Sequence, residues 1–489
     1  MKPNKTSLLK ALLLALCFYC TISYAQSTIT ISQSNGSILG RVSDNTTAGD
    51  TVSKYHLGYF SGMQCIGDIN HDGLSDYAVA SEIDNNTRPY NRAISENRGV
   101  VYVFWGRKNA DANTFWNTKN MSVEEKADMV LVTNLAGWLG WHIAGLGDIN
   151  GDGIDDFAIG CPNAGGSSSN YGEGCVFVLL GRENAAWRLG DASDPNNLNP
   201  SNQTGFPSSS ILASAYASSY KYKVLFRYDN SGYYGLYDYN IHGTVNSTFM
   251  FGRNFGKCGD INGDGVNDLI IGEANYTGNG KTACGKVYIL KGAPKGSPWV
   301  GIGQGGKYIV LNNSNNTVPF VSYTSTIAYE ALGYAATGVG DMTMDGIDDV
   351  CFGGDNSEEA TANPAETFTE GGVTYLSKAS KVYTRNRGRA YMVFGNTNFF
   401  TNWQSQGSKT TANADVTFIG GYTSVLGSPN IMYSHGLGTI IARGGLFCKN
   451  PSFTGLTASK TNPRLLNCML LSEPFHDHGS TWAQNYGLA

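Results

Sequence analysis

Asp148-Ile149-Asn150-Gly151-Asp152-Gly153-Ile154-Asp155-Asp156, set inside LGWHIAGLGDINGDGIDDFAIGC at 139–161, is the stretch on which the fold turns. Oxygen-bearing side chains stand at positions 1, 3, 5 and 9 of the nine, and glycine at 6 permits a sharp turn between them. FAIGC follows directly, a short apolar run of the kind that makes a buried strand. Three more segments align with this one: LGYFSGMQCIGDINHDGLSDYAVAS (57–81), FGRNFGKCGDINGDGVNDLIIGE (251–273) and LGYAATGVGDMTMDGIDDVCFGG (332–354). After a polar loop, each leads into a glycine-bounded apolar run: GVVYVFWG (99–106), GCVFVLLG (174–181), GKVYILKG (285–292) and GRAYMVFG (388–395). Another apolar run precedes each, at 129–132, 224–226 and 308–311, with 28–31 in that place for the first. One unit therefore reads as four short strands joined by turns.

The aspartates that open the loops, Asp68, Asp148, Asp260 and Asp341, recur at a nearly constant interval that lengthens once, between the second and third. A four-stranded antiparallel sheet repeated in tandem cannot bury both faces alone, and radial stacking around a channel solves this. The expected fold is all-β: a β-propeller of four-stranded antiparallel blades, four of them clear and one degenerate or incomplete. The long interval holds DASDPNNLNPSNQTGFPSSS (191–210), which suits a surface insertion spanning 185–220. A concealed blade around the tyrosine-rich run 220–239 is the alternative. A degenerate fifth repeat is placed at 414–489, from ADVTFIGG (414–421) through RLLNCMLLSEP (464–474), without an acidic loop or a closing strand. GSILGRV (36–42) has the character of that missing strand, so the termini are expected to meet in one composite blade, or else another chain completes the ring.

Among 489 residues, 34 Lys and Arg oppose 39 Asp and Glu, a formal charge of -5, and no basic tract could follow a phosphate backbone; nucleic acid is not an expected partner. Charged residues are only 15% of the chain, against ~25% in an average soluble protein. Gly and Tyr, at 62 and 28, are residues of turns and half-buried strands. Residues 1–25 place lysines ahead of a short apolar run and end in small residues, the pattern of a secretory signal peptide cleaved after Ala25. No later run is long enough for a membrane helix, so the mature part, 26–489, is expected to be secreted, extracellular or periplasmic. Beyond the leader stand Cys65, Cys161, Cys175, Cys258, Cys284, Cys351, Cys448 and Cys468, none in a CxxC pair. In an oxidising compartment Cys161 with Cys175, and Cys258 with Cys284, could bridge neighbouring strands; buried free thiols are the alternative.

The repeated loops carry the chemistry. Calcium takes about six to eight oxygens, and a tight loop can converge Asp148, Asn150, Asp152, the Ile154 carbonyl and Asp156 on one point. The matching positions are Asp68, Asn70, Asp72, Leu74 and Asp76; Asp260, Asn262, Asp264, Val266 and Asp268; and Asp341, Thr343, Asp345, Ile347 and Asp349. Four calcium sites are expected, the fourth weaker because Thr343 and Met344 replace an asparagine and a glycine. An EF-hand would need glutamate at position 12 and a flanking helix. Here that position is Val79, Ile159, Ile271 or Phe352, within a strand-like run. An ordinary solvated turn is the metal-free alternative, but aspartates crowded this closely repel one another without a cation.

Taken together, the LG or FG pair, the GD-N-DG-D loop and the GxVYVFxG-type strand resemble the FG-GAP repeats of the integrin α-chain β-propeller, from about residue 28 to 396 and more faintly to 489. The resemblance implies calcium-binding blades in a secreted, adhesion-type propeller whose relatives bind ligand with a partner chain. It also implies seven blades, where four or five are visible, and nothing in the chain resembles the leg domains, membrane helix or tail of an integrin. FG-GAP repeats also accompany glycosylphosphatidylinositol-specific phospholipase D, but the zinc-dependent domain that precedes them there has no room here.

The expected function is an extracellular recognition or cell-adhesion-type binding module for a protein or glycan ligand. A secreted hydrolase built on a propeller, or a structural repeat protein completed by a partner, is the competing class. No nucleophile, base and orienting group stand at recognisable spacing, so no catalytic residue is assigned. GIGQGG (301–306) satisfies a dinucleotide-loop pattern but leads into KYIVL instead of a helix. His476 and His478 have no third zinc ligand near them in sequence.

Overall fold

Val, Ile, Tyr and Phe crowd the glycine-bounded runs, and such side chains pack well on a pleated surface between two layers. In the computed structural model all four runs are interior strands of separate sheets. The structure describes chiefly residues 62–81, 99–108, 121–133, 137–164, 172–183, 237–243, 250–301, 308–311, 318–354, 388–403 and 407–419, a few isolated positions, and the strands at 38–39, 222–229, 232–234, 367–370, 373–376, 440–444 and 468–472. The leader, much of the 185–220 insertion, and His476 and His478 lie outside them.

In chain order, β1 (Ile38–Leu39) comes ahead of the first blade, which contains β2 (Met63–Gly67), β3 (Asp76–Ser81), β4 (Val100–Phe104), β5 (Met121–Ser122) and β6 (Met129–Thr133). The second runs through β7 (Ile143–Gly147), β8 (Asp156–Cys161), β9 (Cys175–Leu179), β10 (Tyr222–Asp229), β11 (Gly232–Tyr234) and β12 (Tyr239–His242). The third has β13 (Phe255–Gly259), β14 (Asp268–Glu273), β15 (Lys286–Leu290), β16 (Tyr308–Val310) and β17 (Phe320–Thr324). The fourth has β18 (Ala335–Gly340), β19 (Asp349–Gly354), the hairpin β20 (Thr367–Glu370) and β21 (Val373–Leu376), then β22 (Arg389–Val393), β23 (Ser408–Thr410) and β24 (Val416–Ile419). A last antiparallel pair is β25 (Ile440–Gly444) with β26 (Cys468–Ser472). The described residues hold hardly any helix.

Each blade is a four-stranded antiparallel meander, β2-β3-β4-β6, β7-β8-β9-β12, β13-β14-β15-β17 and β18-β19-β22-β24. The fold is thus the all-β propeller type expected, but the strands are phased differently. The run 129–132 closes the first blade through β4 and does not open the second. Likewise β24 closes the fourth blade through β22, so the fifth unit does not begin at 414 as expected. The runs at 224–226 and 308–311 are added strands: β10 pairs parallel with β6, β16 with β12, and β23 with β17. Each leaves the connection between the third and fourth strands of its own blade and extends the outer edge of the blade before.

First strands of successive blades touch, β2 with β7, β7 with β13, β13 with β18 and β18 with β25. The hydrophobic layers lie between blades. One, with Ile66, Val101, Leu131, Phe157 and Phe177, joins blades 1 and 2; a second, with Leu146, Val178, Phe255 and Tyr288, joins 2 and 3; a third, with Ile261, Val287, Phe352 and Tyr391, joins 3 and 4. Gly174, ahead of β9, explains the glycine that opens each such run: a Cβ there would lie 2.3 Å from the Phe251 carbonyl of the next blade, and φ is +81°. Backbone meets backbone at that point, so only glycine fits.

Candidate metal centre

In all four blades the first strand has a one-residue ladder shift just before the acidic loop, between Cys65 and Gly67 and at the equivalent places, which re-aims the chain. The loop then closes on its own side chains. Asp148 Oδ1 accepts from the Gly151 amide at 2.6 Å and Asp148 Oδ2 from the Gly153 amide at 2.8 Å. Asn150 Oδ1 accepts from the Asp152 amide at 2.9 Å, and Asn150 Nδ2 donates to Asp152 Oδ2 at 3.0 Å. Asp68, Asn70 and Asp72 in the first loop, and Asp260, Asn262 and Asp264 in the third, converge in the same way. In the fourth, Asp341 holds the amides of Asp345 and Gly346, while the Thr343 hydroxyl makes a 3.5 Å contact back to Asp341 and its amide donates to Asp349. Met344, where two of the other loops have glycine, takes a φ of 61°.

The ninth-position aspartate behaves differently. Asp156 is fully buried; its Oδ2 accepts from the Ile149 amide at 2.8 Å and its Oδ1 from the Gly181 amide at 2.7 Å, bolting the loop to the end of the third strand. Asp76, Asp268 and Asp349 do the same with Gly106, Gly292 and Gly395. Burial raises these carboxyls, to about 7 for Asp76 and about 8 for Asp156, against the pull of the amides, and the other loop carboxylates push the same way. Among the described residues no three His, Cys, Asp or Glu side chains form a metal cluster on their own. Positions 1, 3 and 5 meet, with an amide or hydroxyl among them, while position 9 turns inward. The Asp264 carboxylate also has a counter-ion, Lys291 Nζ at 2.9 Å.

Two further loop positions matter that the sequence reading passed over. Position 2 is an apolar plug: Ile69, Ile149 and Ile261 are fully buried between blades, and their carbonyls accept amides of Arg182, Ala293 and Asn396 in the following blade. Position 8 reaches back the other way. Asp155 Oδ2 accepts from the Asp68 amide at 2.9 Å, Asp348 Oδ2 from the Asp260 amide at 3.0 Å, and Asn267 Nδ2 donates to the Asp148 carbonyl at 3.2 Å. The first three loops are thereby gripped by the next blade. The recurrence of Ile or Met at position 2 was the available signal; position 8 varies as Ser, Asp, Asn and Asp and gave none.

Of the expected cysteine pairs, Cys161 and Cys175 are opposed on neighbouring strands. Cys258 and Cys284 are apart: Cys258 lies on β13 near the loop carboxylates, and Cys284 stands at the far end of β15, bonded to the Tyr276 and Gly278 carbonyls. Cys65, Cys161, Cys175, Cys258, Cys284 and Cys351 are thiols in this structure.

Repeated acidic loops bolted into stacked four-stranded sheets define the class, an all-β protein of the β-propeller type. The family model described as "FG-GAP repeat" matches residues 139–179 and 251–290, the first three strands of blades 2 and 3. Integrin alpha-4 of Xenopus laevis is 34% identical over 126 residues, covering 26% of this chain and 10% of that protein. Integrin alpha-PS5 of Drosophila melanogaster is 26% identical over 231 residues, 46% of this chain and 16% of that protein. Integrin alpha-IIb of Mus musculus is 32% identical over 124 residues, with 25% and 10% covered. The chain therefore carries FG-GAP repeats and resembles the integrin alpha N-terminal domain, and its matches span only a small part of those relatives. No helix among the described residues is long and apolar enough to cross a membrane.

Proposed function

We propose that this protein is a secreted, calcium-binding β-propeller that serves as an extracellular recognition module of the cell-adhesion kind. The supporting observation is the fourfold recurrence of one loop geometry, with side-chain oxygens of positions 1, 3 and 5 gathered at the same place in four successive blades. Those donors fit a hard cation by chemistry: they are carboxylate, amide and hydroxyl oxygens, and in the first three loops each ninth-position oxygen keeps a second lone pair after accepting its amide, whereas Asp349 Oδ2 accepts two. Asp68, Asn70, Asp72 and Asp76 would hold one ion with the Leu74 carbonyl, and the equivalent sets in the other blades would hold theirs. The ion neutralises crowded carboxylates and so favours the folded blade; its role is structural. Recognition is assigned to the long connections between strands, and the ligand is an extracellular protein or glycan.

Titration calorimetry of chelator-treated protein should show uptake of about four calcium ions, the fourth loop weakest, with a melting temperature that rises on calcium addition. No uptake and no thermal response would end the calcium reading. Binding arrays of matrix proteins and glycans, with and without chelator, test recognition. Turnover of an ester or glycan, abolished by a point change outside the loops, would move the protein to the hydrolase class.

A further inference from the structure

The last rung between the second and third strands of each blade pairs Ser81 with Val100, Cys161 with Cys175, Glu273 with Lys286, and Gly354 with Arg389. In blade 3 this rung is polar: buried Glu273 accepts from the Tyr288 hydroxyl at 2.9 Å, and its charge acts on Lys286. In blade 4, Glu330 enters from the preceding turn over Gly354, accepts from the Tyr391 hydroxyl at 2.6 Å, and is stabilised by the Arg389 charge. On the rung itself blade 2 has no acid or base, although His242 of the neighbouring β12 lies beside it, and Phe177 stands where Tyr288 and Tyr391 carry hydroxyls. Two cysteines occupy the rung instead, both fully buried in the layer between blades 1 and 2. The two residues are direct register partners on the antiparallel strands β8 and β9, and the Cys161 thiol donates to the Gly137 carbonyl at 3.2 Å.

We propose that Cys161 and Cys175 form a disulfide that staples the hairpin between the second and third strands of blade 2, the covalent counterpart of the acid–base pairs in blades 3 and 4. Residues directly opposed on antiparallel strands have Cα atoms about 4.5–5.5 Å apart, inside the ~4.4–6.8 Å range that a disulfide spans. Cys65 on β2, Cys258 on β13 and Cys351 on β19 are not register partners of another cysteine, and Cys284 faces backbone carbonyls. The oxidant is an external disulfide, of a small thiol or of an oxidoreductase. One protein thiolate displaces a thiolate from it to give a mixed disulfide, and the second protein thiolate displaces the other. The two cysteines lose two electrons and two protons, and two external thiols leave. Since neither sulfur is reachable in the folded blade, the bond forms before the layer between blades 1 and 2 closes.

Neither cysteine is in an acidic loop, so the test is independent of the calcium reading. Full-length protein folded in a glutathione redox buffer is unfolded in denaturant with a maleimide and mapped by mass spectrometry. The expected result is a peptide pair joining 161 to 175, unlabelled until reductant is added, and a melting temperature several degrees lower after reduction. The double variant Cys161→Val with Cys175→Val is expected to melt at a temperature indifferent to reductant. Labelling of both cysteines before reduction, their recovery in bridges to other cysteines, or the same reductant response in the double variant would each overturn the proposal. Should the double variant not fold, the wild-type peptide map alone decides.

Discussion

At the residue scale, the nine-residue loop divides its aspartates between two tasks. Asp152 faces outward with the gathered donors, whereas Asp156 satisfies two backbone amides inside the blade. In chelator, Asp156→Ala leaves both amides buried without an acceptor. It is expected to cost about 3 kcal/mol more than Asp152→Ala in urea unfolding; equal costs would show that position 9 acts only through the ion. Met344 supplies the opposite case. Its φ of 61° strains a side chain that is 61% exposed and gives little packing in return. Met344→Gly should therefore stabilise the fourth blade by about 0.5 kcal/mol, the relief of left-handed strain less the entropy glycine loses on folding. The spacing of the donors was readable in advance because the loop is local. That the ninth aspartate belongs to the interior was not, since one of its two amide partners lies beyond the third strand, as Gly181 does for Asp156.

At the scale of the element, the glycines that begin the third strands test how blades meet. Gly174→Ala places a methyl against the Phe251 carbonyl, while Gly153→Ala, at φ +87° with nothing within 4 Å of its Cβ, adds backbone strain alone. The first is expected to cost more than about 3 kcal/mol and the second about 1; similar values for the two would remove the argument from close approach. Two histidines, His142 just ahead of β7 and His242 at the end of β12, make stability depend on pH. Burial pushes His142 down to about 4 and His242 down to about 3, whereas unfolded imidazoles titrate near ~6.5. From about pH 6.5 down to 4 the unfolded chain binds more protons, so stability falls as pH falls through that window. His242→Gln should lose about 2 kcal/mol less than wild type between pH 7 and 5, measured by urea unfolding. Second and third strands were legible because apolar residues fill both of their faces. The fourth and the added strands were not: a run such as 308–311 looks alike whichever sheet it joins, and Ser408–Thr410 has no apolar signal at all.

For the whole molecule, one rule of connection recurs. The link between third and fourth strands of each blade lends a parallel strand to the blade before it, β10 to β6, β16 to β12 and β23 to β17. In blade 1 the corresponding strand is β5, and its parallel partner is β1. By that rule β1 takes the place of a fourth strand in a blade ahead of blade 1. Closure of a composite blade by GSILGRV would need β1 to pair on its other edge with strands from the C-terminal part, whereas among the described residues its partner is β5. With β1 in the place the rule gives it, deleting residues 26–45 should produce aggregation or broad, non-cooperative unfolding, seen by light scattering and calorimetry. A deletion variant as stable and monodisperse as the parent would remove β1 from any closing role.

The lent strands overlap the blades like roof tiles, and overlap sets where such a chain can be cut or copied. A segment spanning one meander in sequence always carries away the edge strand of its predecessor and leaves its own behind. A gene duplication that adds a blade must therefore copy the overlap as well, or leave a bare edge at each junction. Proteolytic trimming should follow the same grain, since loss of one blade bares the edge of the blade before it.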